Sequence, residues 1–194
     1  MAREPVLIVV SGIPGAGKST VGRAIADRLD LTFLDKDDFL EDLFATSLDV
    51  TRHALSRQAD EHFLEAVWRE PEAAAVSFWR RTELSTTSGT PIDQFPTNRR
   101  LIEVWCDCPP VVAHQRFFAR VRHSAHGDQR RDRVETLAQF QRLAQLGPLG
   151  VGHLIRVDTN QRVDIDDIGR QLASDPAAPP RDAVRGDRAP RGAE

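Results

Sequence analysis

The chain has 194 residues, with 26 basic and 29 acidic side chains for a formal net charge of -3, and 40% of it is hydrophobic. That length suits one domain with a full core, and the near balance of charge excludes a general polyanion-binding surface, so any grip on nucleic acid has to be local. Two cysteines, Cys106 and Cys108, exclude a disulfide framework or a four-ligand zinc site, and no apolar run approaches the length of a membrane span.

Apolar strands alternate with amphipathic helices along the chain. Val6 to Val10 is an unbroken apolar run, the pattern of a central parallel strand covered on both faces. A helix follows over Lys18–Leu29, with Val21, Ala24, Ile25 and Leu29 on one face. Leu31 to Leu34 reads as a second strand ending at Asp35. Arg52 to Trp68 reads as a long helix with Leu55, Ala59, Phe63, Ala66 and Val67 inward. Ala73 to Phe78 reads as a third strand and Leu101 to Trp105 as a fourth. Pro109-Pro110 closes the fourth strand and starts a helix near Pro110, with Val111, Val112, Gln115 and Phe118 on its inward side. A further helix runs to about Leu146, where Gly147-Pro148 stops it. Leu154 to Val157 is a fifth strand, and Asp164 caps a last helix ending near Ala173. This alternation predicts an α/β fold, a three-layer α/β/α arrangement around a five-stranded, mainly parallel sheet, and the glycine-rich segment Gly12 to Ser19 after the first strand makes it a P-loop NTPase fold. The predicted domain spans residues 1–174. Residues 175–194, rich in Pro, Ala, Arg, Asp and Gly without apolar periodicity, read as a disordered tail.

The strongest signal lies between the first strand and the first helix. Gly12-Ile13-Pro14-Gly15-Ala16-Gly17-Lys18-Ser19, followed by Thr20, has the Gly-x-x-x-x-Gly-Lys-Ser spacing of a phosphate-binding loop (Walker A), in the strand-to-helix context that motif requires. Gly12, Gly15 and Gly17 can take positive φ, so backbone N–H groups converge on one point, and the helix adds its unpaired N–H groups and the positive end of its dipole. Lys18 supplies a charge for the β- and γ-phosphates, and Ser19 a hydroxyl for Mg²⁺. ATP and Mg²⁺ are therefore the expected cofactors.

The second strand delivers Asp35-Lys36-Asp37-Asp38-Phe39 to the same rim of the sheet. A carboxylate there can take the proton of an acceptor hydroxyl or hold a metal-bound water, and equally can cap the next helix. The pattern favours Asp37 for catalysis and Asp38 for capping, and makes Asp35 a candidate metal ligand. Arg116 and Arg120, spaced i, i+4 on a helix, with Arg122, His123, Arg130, Arg131 and Arg133 around Gly127, read either as a lid over residues 120–133 closing on a triphosphate or as a solvated basic surface. The third strand ends in Ser77 instead of the acid that often holds Mg²⁺ through water, which leaves Asp35, Asp37 or Ser77 to fill that role. Trp79 with Arg80 or Arg81 can stack on a substrate or serve as buried ring and surface charges. Asp158-Thr159 reads as a turn bordering the adenine. The cysteines read as small apolar residues.

Gly12 to Thr20 followed by Asp35 to Phe39 resembles the small P-loop kinases that phosphorylate hydroxyls, the chloramphenicol phosphotransferase, zeta-toxin and polynucleotide 5′-kinase group, often labelled AAA family ATPases. Trp105-Cys106-Asp107-Cys108-Pro109-Pro110 before the arginine helix is similar to uncharacterised small kinases of that group. The resemblance implies an ATP-dependent kinase with Asp37 as general base and a small hydroxyl-bearing substrate. It leaves two other readings open, a polynucleotide 5′-hydroxyl or toxin kinase and a non-catalytic ATP-binding regulator. No membrane partner is expected. The N-terminal Met1-Ala2-Arg3-Glu4-Pro5 runs straight into the first strand, so no cleavable signal is expected and a cytoplasmic location is.

Overall fold

A computed structural model describes residues 5–47, 50–77, 79–80, 90–96, 98–121, 123–126 and 131–174. Five strands form one all-parallel sheet: β1 (Val6–Ser11), β2 (Thr32–Asp35), β3 (Ala73–Val76), β6 (Arg100–Asp107) and β7 (His153–Asp158), in the order β2-β3-β1-β6-β7. A separate two-stranded ribbon pairs β4 (Trp79–Arg80) with β5 (Thr90–Pro91). The helices are α1 (Lys18–Leu29), α2 (Lys36–Thr46), α3 (Arg52–Arg69), α4 (Pro110–Ala119), α5 (Arg133–Leu146) and α6 (Ile165–Ser174). All five strands expected from the sequence are present, and the sheet is wholly parallel.

β1 is fully buried along its length because both of its faces are covered. Val6, Ile8 and Val10 join Ile25, Ile102, Val104, Phe117, Phe140 and Ile155 in one core. Leu7 and Val9 point the other way, into a second core with Leu34, Phe63, Val67 and Ala75. The alternation of side chains along the strand thus divides one apolar run between two layers. The connection after β1 runs to β2 on one side, whereas β6 lies on the other. A crevice at the carboxyl end of β1 follows from that reversal, and open α/β sheets place their ligands there.

Two details of the fold depart from the sequence reading. On α4 the buried residues are Ala113 and Phe117, while Val111 is half exposed. The phase is set by close approach. A Cβ at Gly15 would lie 2.1 Å from the Ala113 carbonyl oxygen, so α4 packs by backbone against the loop after β1, and the small Ala113 takes the contact. At the start of α2 the N-cap is Asp35, whose carboxylate accepts the Asp37 N–H at 3.1 Å. Asp38, the expected cap, sits within the helix and faces Arg23 of α1 at 4.0 Å. Asp35 wins the cap because it is the last extended residue (φ -119°, ψ 123°), the backbone state an N-cap needs. Asp132 and Thr51 cap α5 and α3 in the same way, and Asp164 accepts the Asp167 N–H at the start of α6.

The fold also holds a buried acid. Glu103 on β6 is wholly inaccessible, and its carboxylate accepts from Ser11 Oγ at 2.6 Å, Leu149 N at 2.8 Å, Gly150 N at 2.8 Å and Val151 N at 3.4 Å. It ties the end of β1, one residue before the glycine loop, to the turn entering β7. Residues 175–194 lie outside the described residues, as do Arg122 and residues 127–130 of the expected lid segment.

Candidate active site

The loop between β1 and α1 has the conformation its glycines predict. Gly12, Gly15 and Gly17 have φ of 138°, 79° and 88°. At Gly12 the demand is double, because a Cβ there would stand 2.8 Å from the Cys106 carbonyl oxygen. Ile13 and Ala16 are buried and anchor the loop, with Ala16 N donating to Ile13 O at 3.1 Å, while Pro14 is partly exposed. Lys18 Nζ turns back onto the loop and donates to the carbonyls of Gly12 and Ile13, each at 3.1 Å. Burial holds its ammonium below the ordinary lysine range, Asp37 and Asp35 pull it back up, and Arg120 adds to the lowering. A desolvated cation at a helix N-terminus, beside convergent amides, is a site for concentrated negative charge.

Across the loop lies the start of α2. The Asp35 carboxylate is buried and hydrogen-bonded to Ser19, so the serine hydroxyl and this acid meet on one spot. Burial raises the Asp35 carboxyl above its usual range, and the hydrogen bond from Ser19 works against that. An acid held uncomfortably dry beside a hydroxyl is a hard-oxygen pair suited to Mg²⁺, which takes few protein ligands and keeps its waters. Thr20 is exposed on the first turn of α1. Ser77 is buried at the end of β3.

Asp37 stands on the first turn of α2, partly exposed. Its neighbour Lys36 is turned away into an ion pair with Asp60 of α3 at 2.8 Å, which locks α2 against α3. A residue absent from the sequence reading sits behind Asp37. His126, in a short 3-10 turn at Ser124–His126, is buried, with Nδ1 3.8 Å from Asp37 Oδ1 and Nε2 2.7 Å from Glu41 Oε1.

The arginines divide. Arg116 is fixed to the turn after β7, donating to the Thr159 carbonyl at 3.0 Å and lying 3.7 Å from Cys108 Sγ. Arg120, at the end of α4, lies 5.2 Å from the Phe117 ring centre, and Arg131 approaches the same ring at 5.8 Å. The Arg120 charge adds to the lowering at Lys18. Arg122 lies outside the described residues, as do Phe78, Arg81, Gly127 and Arg130. Asp158 forms a turn, accepting from Asn160 N at 2.8 Å and from Gln161 at 3.0 Å, while Thr159 N donates to Asp107 O at 2.9 Å and closes the far end of the site. Both cysteines are buried and free, and burial pushes the Cys106 thiol up to about 12.

The family model for shikimate kinase matches residues 14–146, from the glycine loop through α5. The chain belongs to the shikimate kinase family. Among curated relatives, the shikimate kinase of Burkholderia thailandensis is 34% identical over 102 residues, covering 52% of this chain and 52% of that protein. The shikimate kinase of Thermobifida fusca is 38% identical over 84 residues, 39% of this chain and 46% of that one. The chain spans about half the length of the curated relatives it matches. Of solved structures, one from Chloroflexus aurantiacus has a TM-score of 0.68 at 23% identity, covering 88% of this chain and 98% of its own. Shikimate kinase from Acinetobacter baumannii in complex with shikimate has a TM-score of 0.54 at 20% identity, covering 88% and 91%. These structures share the fold. The coarser part of the sequence resemblance, a small P-loop kinase, agrees with the shikimate kinase family match. No helix among the described residues is long and apolar enough to cross a membrane.

Proposed function

We propose that this protein is an ATP-dependent kinase that transfers the γ-phosphoryl group to a hydroxyl of a small molecule. The observation that carries the reading is the meeting of the glycine loop, Lys18, Ser19 and Asp35 on one rim, with Asp37 one helical step beyond. The loop amides between Gly12 and Ser19 and the Lys18 ammonium bind and orient the phosphates. Ser19 and Asp35 would hold Mg²⁺, which when bound offsets phosphate charge. Asp37 orients the acceptor hydroxyl and takes its proton as the oxygen attacks. Arg120, with Arg122, belongs to a lid over residues 120–133 that covers the phosphates and excludes water. Arg116 and Asp158 shape the turn at Thr159 that borders the base.

The shikimate kinases among the relatives make shikimate, a carboxylated ring polyol, the first acceptor to test. The resemblance to chloramphenicol phosphotransferases adds alcohol-bearing antibiotics to the panel. The test is ADP release and phosphate-ester formation from ATP and magnesium with each acceptor, against Lys18→Ala as the control. Acceptor-dependent product that Lys18→Ala abolishes is the expected result. ATP binding with no ester from any acceptor would overturn the kinase reading in favour of a nucleotide-binding regulator, and transfer only to an oligonucleotide 5′-hydroxyl would move the acceptor class.

A further inference from the structure

Asp37 and Glu41 lie four residues apart on α2, so they share one helical face. Two carboxylates so placed repel each other and would splay unless something stands between them. His126 does. Its ring is buried, one nitrogen is 2.7 Å from Glu41 and the other 3.8 Å from Asp37, so the imidazole bridges the pair from the side opposite solvent. The turn that carries His126 is itself pinned. Arg52 of α3 donates to the Ala125 carbonyl at 2.7 Å, Ala125 N donates to His123 Nδ1 at 3.3 Å, and the His123 ring meets Phe44 of α2 edge-on at 5.5 Å. A buried imidazole on a turn anchored to both α2 and α3 has little freedom of its own, and lends that rigidity to what it touches.

We infer that His126 is a positioning residue for the acceptor side of the site, holding Asp37 in register for the hydroxyl through its bridge to Glu41. The inference rests on the kinase reading for the role of Asp37; the juxtaposition itself does not. Small misplacement of a catalytic group is costly, up to about a hundredfold per ångström.

Substitutions across the bridge and one spectrum test it. His126→Leu, which keeps the site dry but removes both ring nitrogens, is expected to lower kcat about 10–100-fold with the KM for ATP within about twofold. His126→Gln, whose amide still donates to Glu41, is expected to recover part of that loss. Glu41→Gln is expected to lower kcat, and its combination with His126→Leu to be no worse than the more damaging single change, since both break one bridge. Nitrogen–proton correlation of the His126 ring, in protein without substrate, is expected to shift in both Asp37→Asn and Glu41→Gln. Ring signals indifferent to both changes, or His126→Leu turning over like the unmodified protein, would overturn the inference. An unmodified protein that phosphorylates no acceptor would overturn the kinase reading while the ring spectrum still decides whether the bridge exists.

Discussion

Glu103→Gln is the change that best tests how the floor of the site is held. The substitution keeps shape and volume, so it opens no cavity. The carboxylate offers two oxygens to four donors, Ser11 Oγ and Leu149 N on one, Gly150 N and Val151 N on the other. An amide offers one oxygen and one NH₂. Its better orientation leaves the oxygen on Gly150 and Val151 and turns the NH₂ toward Ser11, whose hydroxyl can rotate to accept. Leu149 N then faces a donor and loses its partner, at about 1–3 kcal/mol, and the bonds that remain weaken from charge-assisted to neutral. Relief from burying a charge offsets part of this. The balance is a loss of roughly 2–3 kcal/mol. Urea unfolding followed by far-UV circular dichroism reads it as a midpoint lowered by about 1 M with an unchanged slope. Equal or greater stability for Glu103→Gln would refute the reasoning, since it would mean that the four donors contribute less than burying the charge costs.

Three other predictions concern the chemistry of the site. Asp37→Asn should leave the Kd for ATP nearly unchanged and lower turnover by about 10²–10⁴, measured by coupled ADP release; unaltered turnover would remove Asp37 from the mechanism. Asp35→Asn keeps a good N-cap but removes the charge that burial penalises. A carboxyl whose folded value is raised loses its proton first in the unfolded chain, so the penalty is complete above the folded value, fades as pH falls through it, and is gone below the unfolded value. The Asn variant should therefore be at least as stable as the parent at pH 7, by thermal melting, yet lose the magnesium dependence of nucleotide binding. The Cys106 thiol, pushed up to about 12 by burial, should resist a maleimide at pH 8 in the folded protein and react on unfolding, as mass spectrometry would count.

What the sequence makes legible is what is local. The glycine loop needs fixed spacing because successive amides of one short segment must converge, and that spacing survives in the text from Gly12 to Ser19. The central strands β1 and β3 are legible because a strand covered on both faces leaves an unbroken apolar run, and β6 nearly so. Glu103 is hidden in such a run, because its partners come from Ser11 and from the turn at 149–151, far away in sequence. His126 is hidden likewise, since its meaning depends on a turn after α4 folding back onto α2. The inward face of α4 follows from the backbone of Ala113 meeting Gly15, a contact that hydrophobicity alone does not encode. The contest between Asp35 and Asp38 for the cap turned on where α2 begins, directly after β2, and element boundaries are poorly legible in a sequence.

The most direct test of the account is calorimetric titration of magnesium–ATP into the folded protein and into Lys18→Ala. The glycine loop, Lys18 and the Ser19–Asp35 pair predict saturable one-to-one binding in the first, weakened at least tenfold in the second and dependent on magnesium. Folded protein that evolves no binding heat, or that binds as tightly without Lys18, would contradict the assignment of this loop as the phosphate site.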